Sequence, residues 1–163
     1  FRSVSMKTLT TFINPFPTTR TMEEAYGVIE NEVLQSSDFK GITVSGSLFS
    51  LTTFKSVTFE SCVFFAARME NCEFIDCTFI NCSFKFSNIE HCNFNDSKFE
   101  NCKWDVTPIK KSRLQYCSVD AETAFYVSKS DSKIENCSGN GNGYWASYLD
   151  DFLQQDRRFE IAA

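Results

Sequence analysis

The chain is poor in histidine, proline and glycine, has no long apolar run and carries no basic excess, and each shortage closes off a class of function. Among its 163 residues are one His, three Pro and six Gly. Without a run of about eighteen apolar residues, no segment is expected to insert directly into a membrane. The opening FRSVSMKTLTTFINPF has neither the unbroken apolar core nor the small-residue cleavage site of a signal peptide. That leaves room for a piece excised from a secreted or membrane-bound protein. Sixteen Lys and Arg against 21 Asp and Glu give a net charge of −5 and a pI near 4.9. Phosphate-backbone binding needs a basic footprint, so no nucleic-acid partner is expected; an acidic surface suits a basic protein instead. There is no G-x-S-x-G, no phosphate-cradling glycine loop and no H-E-x-x-H.

Phenylalanine and cysteine are abundant, at 18 and 8 residues. In NCEFIDCTFINCSF, Asn71 to Phe84, they recur together every five residues, a spacing that neither helix nor strand explains. Steps of five from Phe39 through Val44, Phe49 and Phe54 to Val119 meet seventeen residues, all large and apolar. With 42% hydrophobic residues, chance gives such a run roughly four times in ten million, so the period is real. Two residues before each, Ser, Thr, Ala or Cys stands in fifteen of the seventeen units, Ile42 and Val57 being the exceptions. All eight cysteines, Cys137 included, share that phase. One bulky and one small position per unit marks a solenoid.

The pattern resembles the pentapeptide-repeat family over about residues 37–120. That resemblance implies an all-β solenoid, a right-handed quadrilateral parallel β-helix with four units per coil. Side chains twenty residues apart then stack, placing Phe39, Phe59, Phe79 and Phe99 in one interior column that ends at Val119. Phe54, Phe74 and Phe94 form another, continued by Leu114. Rungs about 4.8 Å apart suit stacked rings. The cysteines read as small filler at the corners of the coil. Stacked neighbours such as Cys62, Cys82 and Cys102, or Cys72 and Cys92, are the disulfide alternative, opposed by their parallel Cβ vectors. A zinc site would need convergent pairs such as C-x₂-C, so no metal is expected.

An open solenoid exposes strand edges, so caps are expected. Residues 1–36 read as a lead-in and capping helix: Thr21 and Glu24 are spaced as a capping box, and Ala25, Val28, Ile29, Val33 and Leu34 form a helical stripe. Residues 37–138 read as the β-helix, with a loop inserted near 120–131 and a last partial strand at SKIENCS. Residues 139–163 read as a glycine hinge and a capping helix with Tyr144, Tyr148, Leu149, Phe152 and Leu153 inward.

His91 falls in the outward phase beside Glu90, with no partner to orient it as a base. Asp96, Glu100 and Asp105 are scattered along the surface, and Lys110, Lys111 and Arg113 read as a solvated corner. Neither an enzyme nor a cofactor is expected. Three glycosylation sequons, at Asn81, Asn95 and Asn136, fall in outward phases that could carry a glycan.

The stretches FKSVTFESCVF (Phe54 to Phe64), NCEFIDCTF (Asn71 to Phe79), NCSF (Asn81 to Phe84) and GYWASYLDDFL (Gly143 to Leu153) resemble the fourth luminal domain of the synaptic vesicle glycoprotein 2 family. This resemblance implies a glycosylated, non-enzymatic domain facing the vesicle lumen or the extracellular side. Its implied partner is the receptor-binding domain of botulinum neurotoxin. The implied site is an open edge strand made of Ser132, Lys133, Ile134, Glu135, Asn136, Cys137 and Ser138, with the sugar on Asn136. The alternative, from the wider family, is a cytoplasmic bacterial DNA mimic that binds DNA gyrase and inhibits or protects it.

Overall fold

A computed structural model describes residues 3–4, 28–141, 149 and 151–153. Three-residue strands follow one another every five residues from Val28–Glu30 to Lys103–Asp105, each centred on the bulky residue of its unit. Between strands, one residue per unit is left-handed, with φ 57° at Asn31, 54° at Asn71 and 53° at Asn101. That residue turns the corner, and Asn, Asp, Ser or Gly at most such positions keeps the cost low.

Each strand pairs in parallel with the strand one coil later, Phe39 opposite Phe59, Phe59 opposite Phe79 and Phe79 opposite Phe99. Four walls enclose one core, and the expected quadrilateral parallel β-solenoid is what the chain forms. Rings stack at centroid distances of 5.3, 5.1 and 4.9 Å along Phe39, Phe59, Phe79 and Phe99. Phe54, Phe74 and Phe94 stack at 4.6 Å, within 6° of parallel. Burying each ring stabilises by roughly 1.5–3 kcal/mol, so these columns dominate the core.

The small position does more than fill space. All eight cysteines are free thiols, and each donates to a backbone carbonyl 23 residues earlier at 3.2–3.4 Å, as from Cys82 to Phe59 and Cys102 to Phe79. Ser87 does the same and also accepts: its Oγ donates to Phe64 O at 3.0 Å and takes the Ala67 N–H at 3.1 Å. Burial pushes the Cys77 thiol up to about 11 and the Cys102 thiol up to about 12. They remain neutral donors at physiological pH.

The coil begins earlier than the helical stripe suggested. Val28–Glu30 and Val33–Gln35 are strands, paired with Leu48–Ser50 and Thr53–Lys55. Ile29 and Leu34 lie ten and five residues before Phe39, in phase with the repeat, and pairing with Phe49 and Phe54 outweighs their helical spacing. The capping-box residues Thr21 and Glu24 lie outside the described residues. Ser3–Val4 pairs with Val33–Leu34.

At the other end, the segment expected as a loop near 120–131 is the helix Ala121–Ser128 followed by the strand Asp131–Glu135. The coil length is nonetheless kept, since Ser118 pairs with Ser138 and Val119 with Gly139. The helix therefore stands where two strands would have run. It also completes the rung below: Asp120 accepts from Cys102 N at 2.8 Å and from Thr123 N at 2.7 Å. Tyr126 Oη takes the Thr107 N–H at 2.8 Å, and Trp104 Nε1 donates to Thr123 Oγ1 at 2.9 Å. Leu149, Phe152 and Leu153 pack on the core end, as the inward stripe suggested. A Cβ built on Gly139 would lie 2.6 Å from Leu149, so glycine here admits the cap. Tyr144 and Tyr148 fall outside the described residues.

Candidate interaction surface

The interior is filled by the ring columns, so anything that binds must use the outer walls, the corners or the ends. His91 is an exposed corner residue with φ 53°, its Nε2 3.8 Å from Glu90. Among the described residues no cluster of His, Cys, Asp and Glu could hold a metal ion.

The three sequons do not converge. Asn81 is an exposed corner residue whose side-chain oxygen accepts from Asn101 at 2.6 Å. Asn95 is half-buried and stands in register with Gln115, which stands in register with Glu135. Asn136 follows Glu135 at an exposed corner with φ 53°, so Asn95 and Asn136 share one side of the rod and Asn81 another.

The segment Ser132 to Ser138 is not one strand. Asp131–Glu135 and Ser138–Gly139 are separate strands, with the left-handed Asn136 turning the chain between them. The first pairs with Ile109–Gln115 and, among the described strands, with no other. Ser132 Oγ donates to Ile109 O at 3.0 Å and accepts from Ser112 N at 3.1 Å. Ile134 is buried, Lys133 is exposed, and Glu135 accepts from Gln115 Nε2 at 3.0 Å. In the rungs below, the central residue points its N–H at the following rung, as Ile89 N donates to Pro108 O at 2.9 Å. The same pattern aims the Ile134 N–H away from Ile109–Gln115. Cys137 belongs to the corner ladder, its Sγ donating to Leu114 O at 3.4 Å, and Gly139 lies beneath Leu149. Within this segment Asp131–Glu135 is thus a strand with a described partner on one side only.

Sequence reasoning missed the parts that the helix supplies. Lys129 and Lys133 join the cluster of Lys110, Lys111 and Arg113 around two adjoining depressions. The local signal was Asp120 three residues before Thr123, ahead of AETAFYV, an N-cap pattern that the broken five-residue phase obscured.

Residues 52–141 match the model of the pentapeptide repeat region. A search of curated proteins finds no match. Among solved structures, a pentapeptide repeat protein from the Arabidopsis thaliana thylakoid lumen is similar at 16% identity, over 61% of this chain and 76% of that one, with a TM-score of 0.36. The pentapeptide repeat protein Rfr23 from the cyanobacterium Cyanothece 51142 is similar at 9% identity, over 73% and 90%, with a TM-score of 0.32. Full-length QnrB1, a plasmid-mediated fluoroquinolone resistance protein, is similar at 14% identity, over 77% and 89%, with a TM-score of 0.26. With its five-residue period carried through parallel coils and the family match spanning more than half of it, the chain belongs to the pentapeptide-repeat family.

Proposed function

We propose that the domain is a non-enzymatic rod that docks a protein partner by strand addition to Asp131–Glu135. The carrying observation is that this strand ends its wall with a described partner on one side only. Backbone groups at such an edge supply hydrogen bonds with little demand on side chains. A glycan on exposed Asn136 would stand beside that edge; Asn95 and Asn81 are further candidate glycosylation sites along the rod.

In the finer reading the domain acts like the fourth luminal domain of synaptic vesicle glycoprotein 2, facing the vesicle lumen or the extracellular side and meeting the botulinum neurotoxin receptor-binding domain. Secretory expression should then give a product that loses mass with an Asn-glycan amidase and binds that toxin domain, with Asn136→Gln weakening the binding. A second reading, favoured by the acidic charge and by family membership, is a cytoplasmic rod bound by DNA gyrase. An unglycosylated product that inhibits or protects gyrase in a supercoiling assay would replace the first reading with the second. A product inactive in every assay would sink both.

A further inference from the structure

Phe86 and Val106 are 56% and 61% exposed, and both adopt the left-handed corner conformation, at φ 51° and 42°. Bulky and β-branched residues are disfavoured there relative to Asn or Gly, and neither side chain packs into the core. Strain kept at an exposed position points to a use other than folding. The two share one corner of the rod, because Phe86 N donates to Asp105 O at 3.0 Å and so brings Val106 into the adjacent rung. Phe65, itself 41% exposed, meets Phe86 edge to face at 5.8 Å. Leu51 and Tyr116, the other exposed large hydrophobic residues that are left-handed, belong to different corners.

Val106 is followed in the chain by Thr107, which with Pro108, Ile109, Phe125 and Tyr126 lines a cleft of about 390 Å³ beside the Ala121–Ser128 helix. Lys110 and Lys129 line it too, and the Lys129 ammonium lies 4.1 Å from the Phe125 ring centroid. An adjoining depression holds Lys111, Arg113 and Lys133 and shares Ser130 and Asp131 with the cleft. Five cations thus gather at one end of a chain whose net charge is −5. The acidic groups nearby are Asp131, Glu135 at 3.6 Å from Arg113, and Glu90 in register with Lys110.

We propose that this corner and cleft dock an acidic peptide segment of a protein partner, one that also carries apolar side chains. Its apolar side chains cover Phe65, Phe86 and Val106 and enter the cleft beside Phe125, while its carboxylates meet Lys110 and Lys129 and the cations next to them. A purely polar anion would leave the stripe wet, and an uncharged apolar segment would leave the cations unmatched. The site uses side chains rather than a free strand edge, although Asp131 and Lys133 belong both to it and to the strand Asp131–Glu135.

The test is a display selection of random peptides of about twelve residues on the immobilised whole chain, a length suited to a groove of this kind. Recovered peptides are expected to combine Asp or Glu with aromatic or aliphatic residues and to bind more weakly as salt rises. The double variants F86N/V106N and K110E/K129E should each weaken them about tenfold or more. The thermal midpoint of each variant, measured alongside, identifies loss of fold, and F86N/V106N places a residue suited to the left-handed corner at both positions. Recovered peptides without an acidic bias, or full affinity in either folded variant, would overturn the proposal. So would a selection that recovers nothing while the chain binds anionic phosphatidylserine vesicles or heparin, which would make the patch a membrane or polyanion surface.

Discussion

Each five-residue unit asks for three kinds of side chain: a bulky one inside, a small hydrogen-bonding one two residues earlier, and a left-handed one before that. At the small position a thiol or hydroxyl can reach the carbonyl of a residue 23 positions back, as Cys82 does to Phe59 at 3.2 Å, while Ile42, Val57 and Ala67 fill it by size alone. Cys82→Ser should therefore stay within about 1 kcal/mol of wild type, whereas Cys82→Val adds bulk and removes that hydrogen bond, at a cost of about 1–3 kcal/mol. Urea unfolding of the two variants separates the roles, since a pure filler would rank valine no worse than serine. At the left-handed position, Val106 is exposed at φ 42°. Val106→Asn should raise stability by about 1 kcal/mol, read as a higher urea midpoint at unchanged slope.

At the scale of elements, the Ala121–Ser128 helix is held by the same hydrogen-bond sites that a further rung would have used. Asp120 stands in for the missing corner residue above Cys102 while capping the helix. Its carboxyl is held above the usual 3.8 by burial, against the opposing effect of its two N–H donors. Between 3.8 and the raised value the folded state binds more protons than the unfolded one, so this contribution is fully present below 3.8 and is lost as pH rises through the folded value. The wild-type stability minus that of Asp120→Asn should consequently fall as pH climbs above 3.8 and then level off. Chemical denaturation at a series of pH values checks this, and a difference that rises across that window would contradict it.

For the whole molecule, each rung contacts the rungs above and below it, so stability spreads along the rod through neighbouring interfaces. Phe79 sits between Phe59 and Phe99 at 5.1 and 4.9 Å and also meets Phe74, Phe84 and Phe94. Phe79→Ala should cost about 3–5 kcal/mol. Because the loss falls mid-rod, it should also weaken the coupling between halves, giving a broader urea transition or a second one. An unbroken transition at the original midpoint would mean that the columns contribute little. The two candidate surfaces adjoin, since Asp131 and Lys133 belong both to the edge strand and to the depressions beside the helix.

Local chemistry written in the sequence was enough for the coil. Bulky residues at steps of five and small ones two earlier repeat so regularly that each rung dictates the next, and the same register carries Phe39 to Val119. What the tertiary structure decided lies where the repeat meets something unlike itself. Ile29 and Leu34 fit a helical stripe and a five-residue phase equally well, and pairing with Phe49 and Phe54 made them strands. The helix at Ala121–Ser128, the cleft beneath Phe125 and the meeting of Lys110, Lys129 and Lys133 depend on contacts between residues nineteen or more positions apart. A five-residue pattern records only what sits within one unit, so a surface assembled from several rungs and a helix exists only once the coil has closed.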